Sequence, residues 1–149
     1  MDSNQNDLIA RLKSVSPLPN DSELGNEEFD EIFSKWEEVI EVLQDDFRLE
    51  YLKPILESFG EGTGFGVYWT CVHKIEACLA NEAFDLDSYV SELIPLLKHP
   101  NTGTREWSLE LIGRLIRGGS ISIPAELRLL IDDTSPIIRE RVEQILSSE

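Results

Sequence analysis

A chain of 149 residues that is 41% hydrophobic can bury one core of ordinary domain size without disulfides or a structural metal. Its 13 Lys and Arg stand against 29 Asp and Glu, a formal net charge of −16. That disfavours nucleic acid or an anionic membrane as a direct partner and favours a basic one.

The opening residues, MDSNQNDLIARLKSVSPLPN, lack the charged-then-apolar pattern of a signal peptide, and no apolar run approaches membrane length. Two cysteines, Cys71 and Cys78, make no secreted-type framework. A cytoplasmic protein is expected. The stretch NEEFDEIFSKWEEVIEVLQDD then places Phe29, Ile32, Phe33, Trp36, Val39, Ile40 and Leu43 at helical spacing, so one face stays apolar for about four turns. Residues 21–46 also hold eleven acids against Lys35 alone, which is −10 of the −16. Glu27, Glu31, Glu38, Glu41 and Asp45 fall along one helical line opposite the apolar stripe. Like charges at these spacings cost a helix a few tenths of a kcal/mol per pair. Mixed signs would have solvated the face equally well, so the excess points to a docking surface for a basic partner. A purely solvated face accounts for the same residues without one.

Leu52 to Phe59 reads as a helix, followed by the glycine loop GEGTGFG from Gly60 to Gly66. Tyr68, Cys71, Val72, Ile75, Cys78 and Leu79 form the next stripe. Leu86, Tyr89, Val90, Leu93, Ile94 and Leu97 form another, opened by Asp85 or Asp87 as N-cap. Turns follow at KHPNTG, GGSISIP and DDTSP, and GGSISIP is the nearest approach to a strand. The expectation is an all-α protein of seven or eight helices.

The later helices repeat. LIPLLKHPNTGTREWSLELI from Leu93 aligns with LRLLIDDTSPIIRERVEQIL from Leu127 at a constant offset of 34. That offset pairs Leu93 with Leu127, Leu96 with Leu130, Leu97 with Ile131, Arg105 with Arg139, Glu106 with Glu140, Leu111 with Ile145 and Ile112 with Leu146. Upstream, YLKPILESF sits 41 residues before ELIPLLKHP and pairs Pro54 with Pro95. This pattern resembles HEAT and HEAT-like repeats over roughly Tyr51 to Leu146. The resemblance implies antiparallel helix pairs stacked as a short α-solenoid, with a proline early in the first helix of a pair. The domain then spans 1–149, with N-terminal acidic helices over 1–46 and repeat units at about 47–80, 86–117 and 124–147. The resemblance also implies that Arg105 and Arg139 bond an acidic residue or turn of a neighbouring unit.

The repeat register bears on the glycine loop. Tyr68, Cys71, Val72 and Ile75 match Thr104, Trp107, Ser108 and Leu111 at an offset of 36, five short of the 41 between the first helices of those units. The loop is therefore a five-residue insertion in a helix-to-helix turn, where glycine is expected. A nucleotide loop would need a preceding strand, and no Gly-Lys-Ser/Thr, HRD or DFG accompanies it. A longer turn at the edge of a solenoid suits partner contact, which adds Glu61, Phe65 and Trp69 as candidates. No metal site is expected, because Cys71 and Cys78 share the apolar stripe and His73 lies off it. No catalytic motif or cofactor loop is legible, and His73 and His99 are 26 positions apart.

An acidic, compact, HEAT-like chain without a catalytic signature reads as a non-enzymatic binding protein. At class level it resembles immunity proteins of bacterial contact-dependent and other polymorphic toxin systems. That resemblance implies a basic toxin domain, often a nuclease, as partner, bound directly and reached by electrostatic steering. Two alternatives stand beside it. One is a HEAT-like scaffold or adaptor. The other is a HEAT-like enzyme of lyase or glycosylase type, disfavoured for DNA by the charge.

Overall fold

The computed structural model describes residues 3–18, 27–61 and 66–147, without the side chains of Ser3, Asn4, Glu28 and Phe29. The described residues form seven α-helices: α1 (Ser3–Ser14), α2 (Glu27–Asp45), α3 (Leu52–Ser58), α4 (Val67–Ala80), α5 (Leu86–Leu93), α6 (Thr102–Arg117) and α7 (Pro136–Ser147). Three 3-10 segments join them, at Leu49–Tyr51, Ile94–Lys98 and Ala125–Leu130. Among the described residues there is no strand, and residues 118–124 form a turn and irregular chain.

The apolar stripes face one continuous core. Trp36, Val39, Ile40 and Leu43 of α2 are buried, with Ile32 and Phe33 packed at the margin. Cys71, Val72 and Ile75 of α4 and Leu109, Leu111 and Ile112 of α6 are inaccessible to solvent. Burial of such stripes, at about 1.5–3 kcal/mol per large apolar side chain, holds helices too short to persist alone.

The short helix α3 lies at the centre. Leu52, Pro54, Ile55, Leu56 and Ser58 are all buried, and the helix packs on α1, α5 and α6. Its final carbonyls have no partner within the helix and would be costly if left bare. Each is met by a side chain or by a backbone N–H from another segment. Ser58 Oγ donates to the Ile55 carbonyl (2.6 Å), and Thr104 Oγ1 to that of Leu56 (2.8 Å). Asn101 Nδ2 donates to the Glu57 carbonyl (3.4 Å), and the Leu18 N–H to that of Ser58 (3.0 Å). The turn before α6 and the segment after α1 are thus both pinned to one helix end. A glycine makes this approach possible: a Cβ on Gly103 would fall on the Gly60 carbonyl and lie 2.6 Å from that of Phe59.

Two expected helices take a different form. The stripe from Leu86 to Leu97 is α-helical only to Leu93 and continues as a 3-10 turn, because Pro95 has no N–H with which to extend the α ladder. Asp85, one of the two N-cap candidates, is the cap and accepts from Ser88 N (2.7 Å). The first helix of the last repeat is only the 3-10 segment Ala125–Leu130. Ile131, matched to the buried Leu97, therefore falls in the turn beyond it and is 41% exposed.

Candidate functional site

The acidic helix presents the expected face. Glu27, Glu31, Glu38, Glu41 and Asp45 are all exposed on α2, opposite the buried Trp36–Leu43 stripe. Two of them stand near cations: Glu31 lies 3.7 Å from Lys35, and Asp45 lies 3.1 Å from Lys74 of α4. The Asp45–Lys74 contact crosses from α2 to α4 on an exposed surface, where such pairs contribute little stability. Asp21 and Glu23 lie outside the described residues.

Trp36 anchors this helix to α3 and α4. Its Nε1 donates to Ser58 Oγ at 2.8 Å, and its ring meets Tyr68 edge-on at 5.4 Å between centroids. Phe59 stacks on Tyr68 at 4.1 Å, and Trp107 closes the cluster against both rings. The Tyr68 hydroxyl accepts from the Gly60 N–H at 2.8 Å, so the start of the loop is tied to the helix that follows it. At its far end Gly66 has φ of 87°, a left-handed conformation that glycine adopts without a steric cost, and it precedes the first residue of α4. The loop thus runs from α3 to α4 as the repeat register implies. Gly62, Gly64 and the candidate Phe65 lie outside the described residues.

The other two loop candidates are placed differently. Glu61 is exposed and lines a notch of about 420 Å³ with Thr102, Glu106, Ser135 and Ile137. Trp69 is half-buried against Trp107, with ring centroids 4.9 Å apart, and the Arg114 guanidinium sits 5.8 Å from its ring centroid. His73, one turn on, is exposed. Trp69 therefore packs on α6, and much of its face is already used. Cys71 is fully buried, which pushes its thiol up to about 12, while Cys78 is only partly covered. Among the described residues no three metal-ligating side chains converge.

The repeat arginines form a network between turns. Arg105 forks onto Asp133 of the following turn, through Nε at 3.0 Å and Nη2 at 3.1 Å, and donates Nη1 to the carbonyls of His99 and Pro100. Arg139 instead donates to the Asp133 carbonyl at 2.6 Å, in the turn of its own unit and not of a neighbouring one, because that turn lies six residues before it. His99 is part of the same edge. Its Nδ1 accepts from the Asn101 N–H, so its proton sits on Nε2 and is donated to Glu57 at 2.8 Å.

Comparison with protein-family models, with curated proteins and with solved structures finds no match to this chain. Among the described residues no helix is long and apolar enough to cross a membrane.

Two features escaped the sequence reading. Glu106, paired by the repeat with the exposed Glu140, is 6% exposed and accepts from Ser135 Oγ, which in turn caps α7 through the Ile138 N–H. Burial is the main cause that raises its pKa above the ordinary carboxylate value, and the nearby Glu61 charge adds to it. The second is a groove between α6 and α7 in which Glu110 lies near Arg117 and Arg141. The one sequence signal for it is Gly113, a glycine inside an otherwise regular helix, where it costs about 1 kcal/mol relative to alanine.

Proposed function

We propose that this chain is a non-enzymatic binding protein, an immunity protein that neutralises a basic toxin domain by covering it, built as a short HEAT-like solenoid of antiparallel helix pairs. The observation that carries the binding role is the exposed line Glu27, Glu31, Glu38, Glu41 and Asp45 on a helix held from its opposite face. The helix is anchored without those carboxylates, so their charge remains available for steering a cationic partner. The solenoid reading is supported by contacts between equivalent parts of successive units. The 3-10 segment Ile94–Lys98 packs on Ala125–Leu130, α6 packs on α7, and Arg105 bridges their turns.

The test first asks whether the neighbouring reading frame encodes a protein with a basic C-terminal domain, and then uses that domain with the full chain. Association is followed by stopped flow at several salt concentrations, with protection of cells measured in parallel. Glu38→Lys with Glu41→Lys is the informative variant, because neither residue takes part in a described ion pair, whereas reversing Asp45 would also set a lysine against Lys74. The expected result is association that slows with salt and slows about tenfold or more in the variant, with dissociation little changed. Association unchanged in the folded variant would mean that this face is only solvated.

A further inference from the structure

We infer that the groove between α6 and α7 is a binding site for a single carboxylate carried on an apolar body. This does not depend on the toxin-binding reading, and it concerns a different surface. The groove has a volume of about 480 Å³, within the range of small-molecule sites, and its walls include Leu109, Ile123 and Ile145. Three charged groups converge on it. Glu110 is the innermost, with its side chain 12% exposed, and it lies 3.6 Å from Arg117 Nη2 and 3.5 Å from Arg141 Nη1.

These contacts are long for charge-assisted hydrogen bonds, which close to about 2.7–2.9 Å when the geometry is satisfied. Each guanidinium carries five N–H donors. Among the described residues, Arg117 has no contact closer than that to Glu110, and Arg141 adds only the Glu106 carbonyl at 3.5 Å. Elsewhere in the same molecule, arginines close fully on their carboxylates, as Arg114 does on Glu76 at 2.7 and 2.9 Å. The two guanidiniums of the groove therefore have donors left over, on a lip above aliphatic walls.

Gly113 leaves space for this arrangement. A Cβ there would come within 3.2 Å of Arg117 Nη1 and 3.4 Å of Ile145 Cδ1, so the missing side chain makes room for the Arg117 head to lie back over α6. Charge then selects the ligand. The buried Glu106 carboxylate acts on Arg141 from outside the groove lining. Among the side chains of the lining itself two guanidiniums stand against one carboxylate, an excess of one positive charge within the lining, in a chain whose net charge is −16. One negative charge neutralises that excess, whereas a polyanion would meet the repulsion of the whole molecule.

The experiment titrates the full chain with hexanoate, and with hexanol and hexylamine as the neutral and cationic counterparts. NMR follows the methyl groups of Leu109, Ile123 and Ile145 and the Nε–H of Arg117 and Arg141. Hexanoate should give saturable shifts within about 20 mM, hexanol should bind at least about tenfold more weakly, and hexylamine should not compete. Arg117→Gln and Arg141→Gln should each weaken hexanoate about tenfold or more by removing one charge-assisted contact. Arg117, at 58% exposure, can be replaced with the fold retained, so at least one variant reports. Shifts that stay linear to about 50 mM, competition by hexylamine, or hexanoate affinity unchanged in the folded Arg117 variant would each overturn the assignment.

Discussion

Glu106 shows how one side chain acquires a role through its surroundings. Its place in α6 puts it among three buried neighbours, Thr104, Trp107 and Ser108, and the turn before α7 brings Ser135 to 3.1 Å from its Oε1. The carboxylate is kept because it holds the hydroxyl that caps α7, yet burial disfavours its charged form. The folded pKa is therefore raised above the unfolded one, and the native state binds the extra proton in the window between them. Stability contributed by the neutral acid is present at low pH and is lost as pH rises through that window. Glu106→Gln keeps an oxygen for Ser135 and cannot ionise. Relative to the unaltered chain, the variant should gain in urea midpoint between pH 4 and pH 7. An identical difference at both pH values would show that the buried charge carries no such cost. Gln44 Oε1, Tyr89 Oη and Ser108 Oγ are buried without a partner among the described residues, and no local feature accounts for them.

At the scale of elements, the contact between α3 and α6 fixes how these two helices join. The Thr104 bond to Leu56 and the Asn101 bond to Glu57 seat the N-terminal end of α6 on the C-terminal end of α3. Helix propensity alone predicts that Gly103→Ala stabilises by about 0.4–1 kcal/mol. The geometry predicts the opposite sign, because the new Cβ meets main-chain atoms of Phe59 and Gly60 that cannot swing aside. A loss of about 3 kcal/mol or more is expected in chemical denaturation, at the upper end for overpacking. A stable variant would mean that α6 can slide on α3 without cost. The periodicity of α2, α4 and α6 and the turn positions between them were legible in the sequence, since a period of 3.6 records which side of a helix is dry. The close approach at Gly103 was not, because it joins residues over forty positions apart and leaves no local pattern.

For the whole molecule, the charge of −16 is concentrated on α2, where Glu27–Glu31, Glu37–Glu41 and Glu41–Asp45 are like-charged neighbours one turn apart. Each such pair costs a few tenths of a kcal/mol at low ionic strength. Raising salt from about 0.01 to 0.3 M shortens the screening length well below the size of the domain. Stability should rise by about 1 kcal/mol from these pairs, and the gain should shrink in the Glu38→Lys, Glu41→Lys variant. A chain that loses stability with salt would show that attractive pairs such as Asp45–Lys74 outweigh the repulsion.

What the sequence by itself determined is the all-helical class, the dry faces of α2, α4 and α6, and the turn position between α3 and α4. These are local or periodic properties, written within a few turns of chain. Tertiary structure alone decided that Trp69 spends its face on Trp107, that the first helix of the last repeat shortens to a 3-10 turn, and that Arg117 and Arg141 share a groove with Glu110. Each of those outcomes depends on which other helix arrives and at what distance, and the spacing of residues along one helix does not record its neighbour.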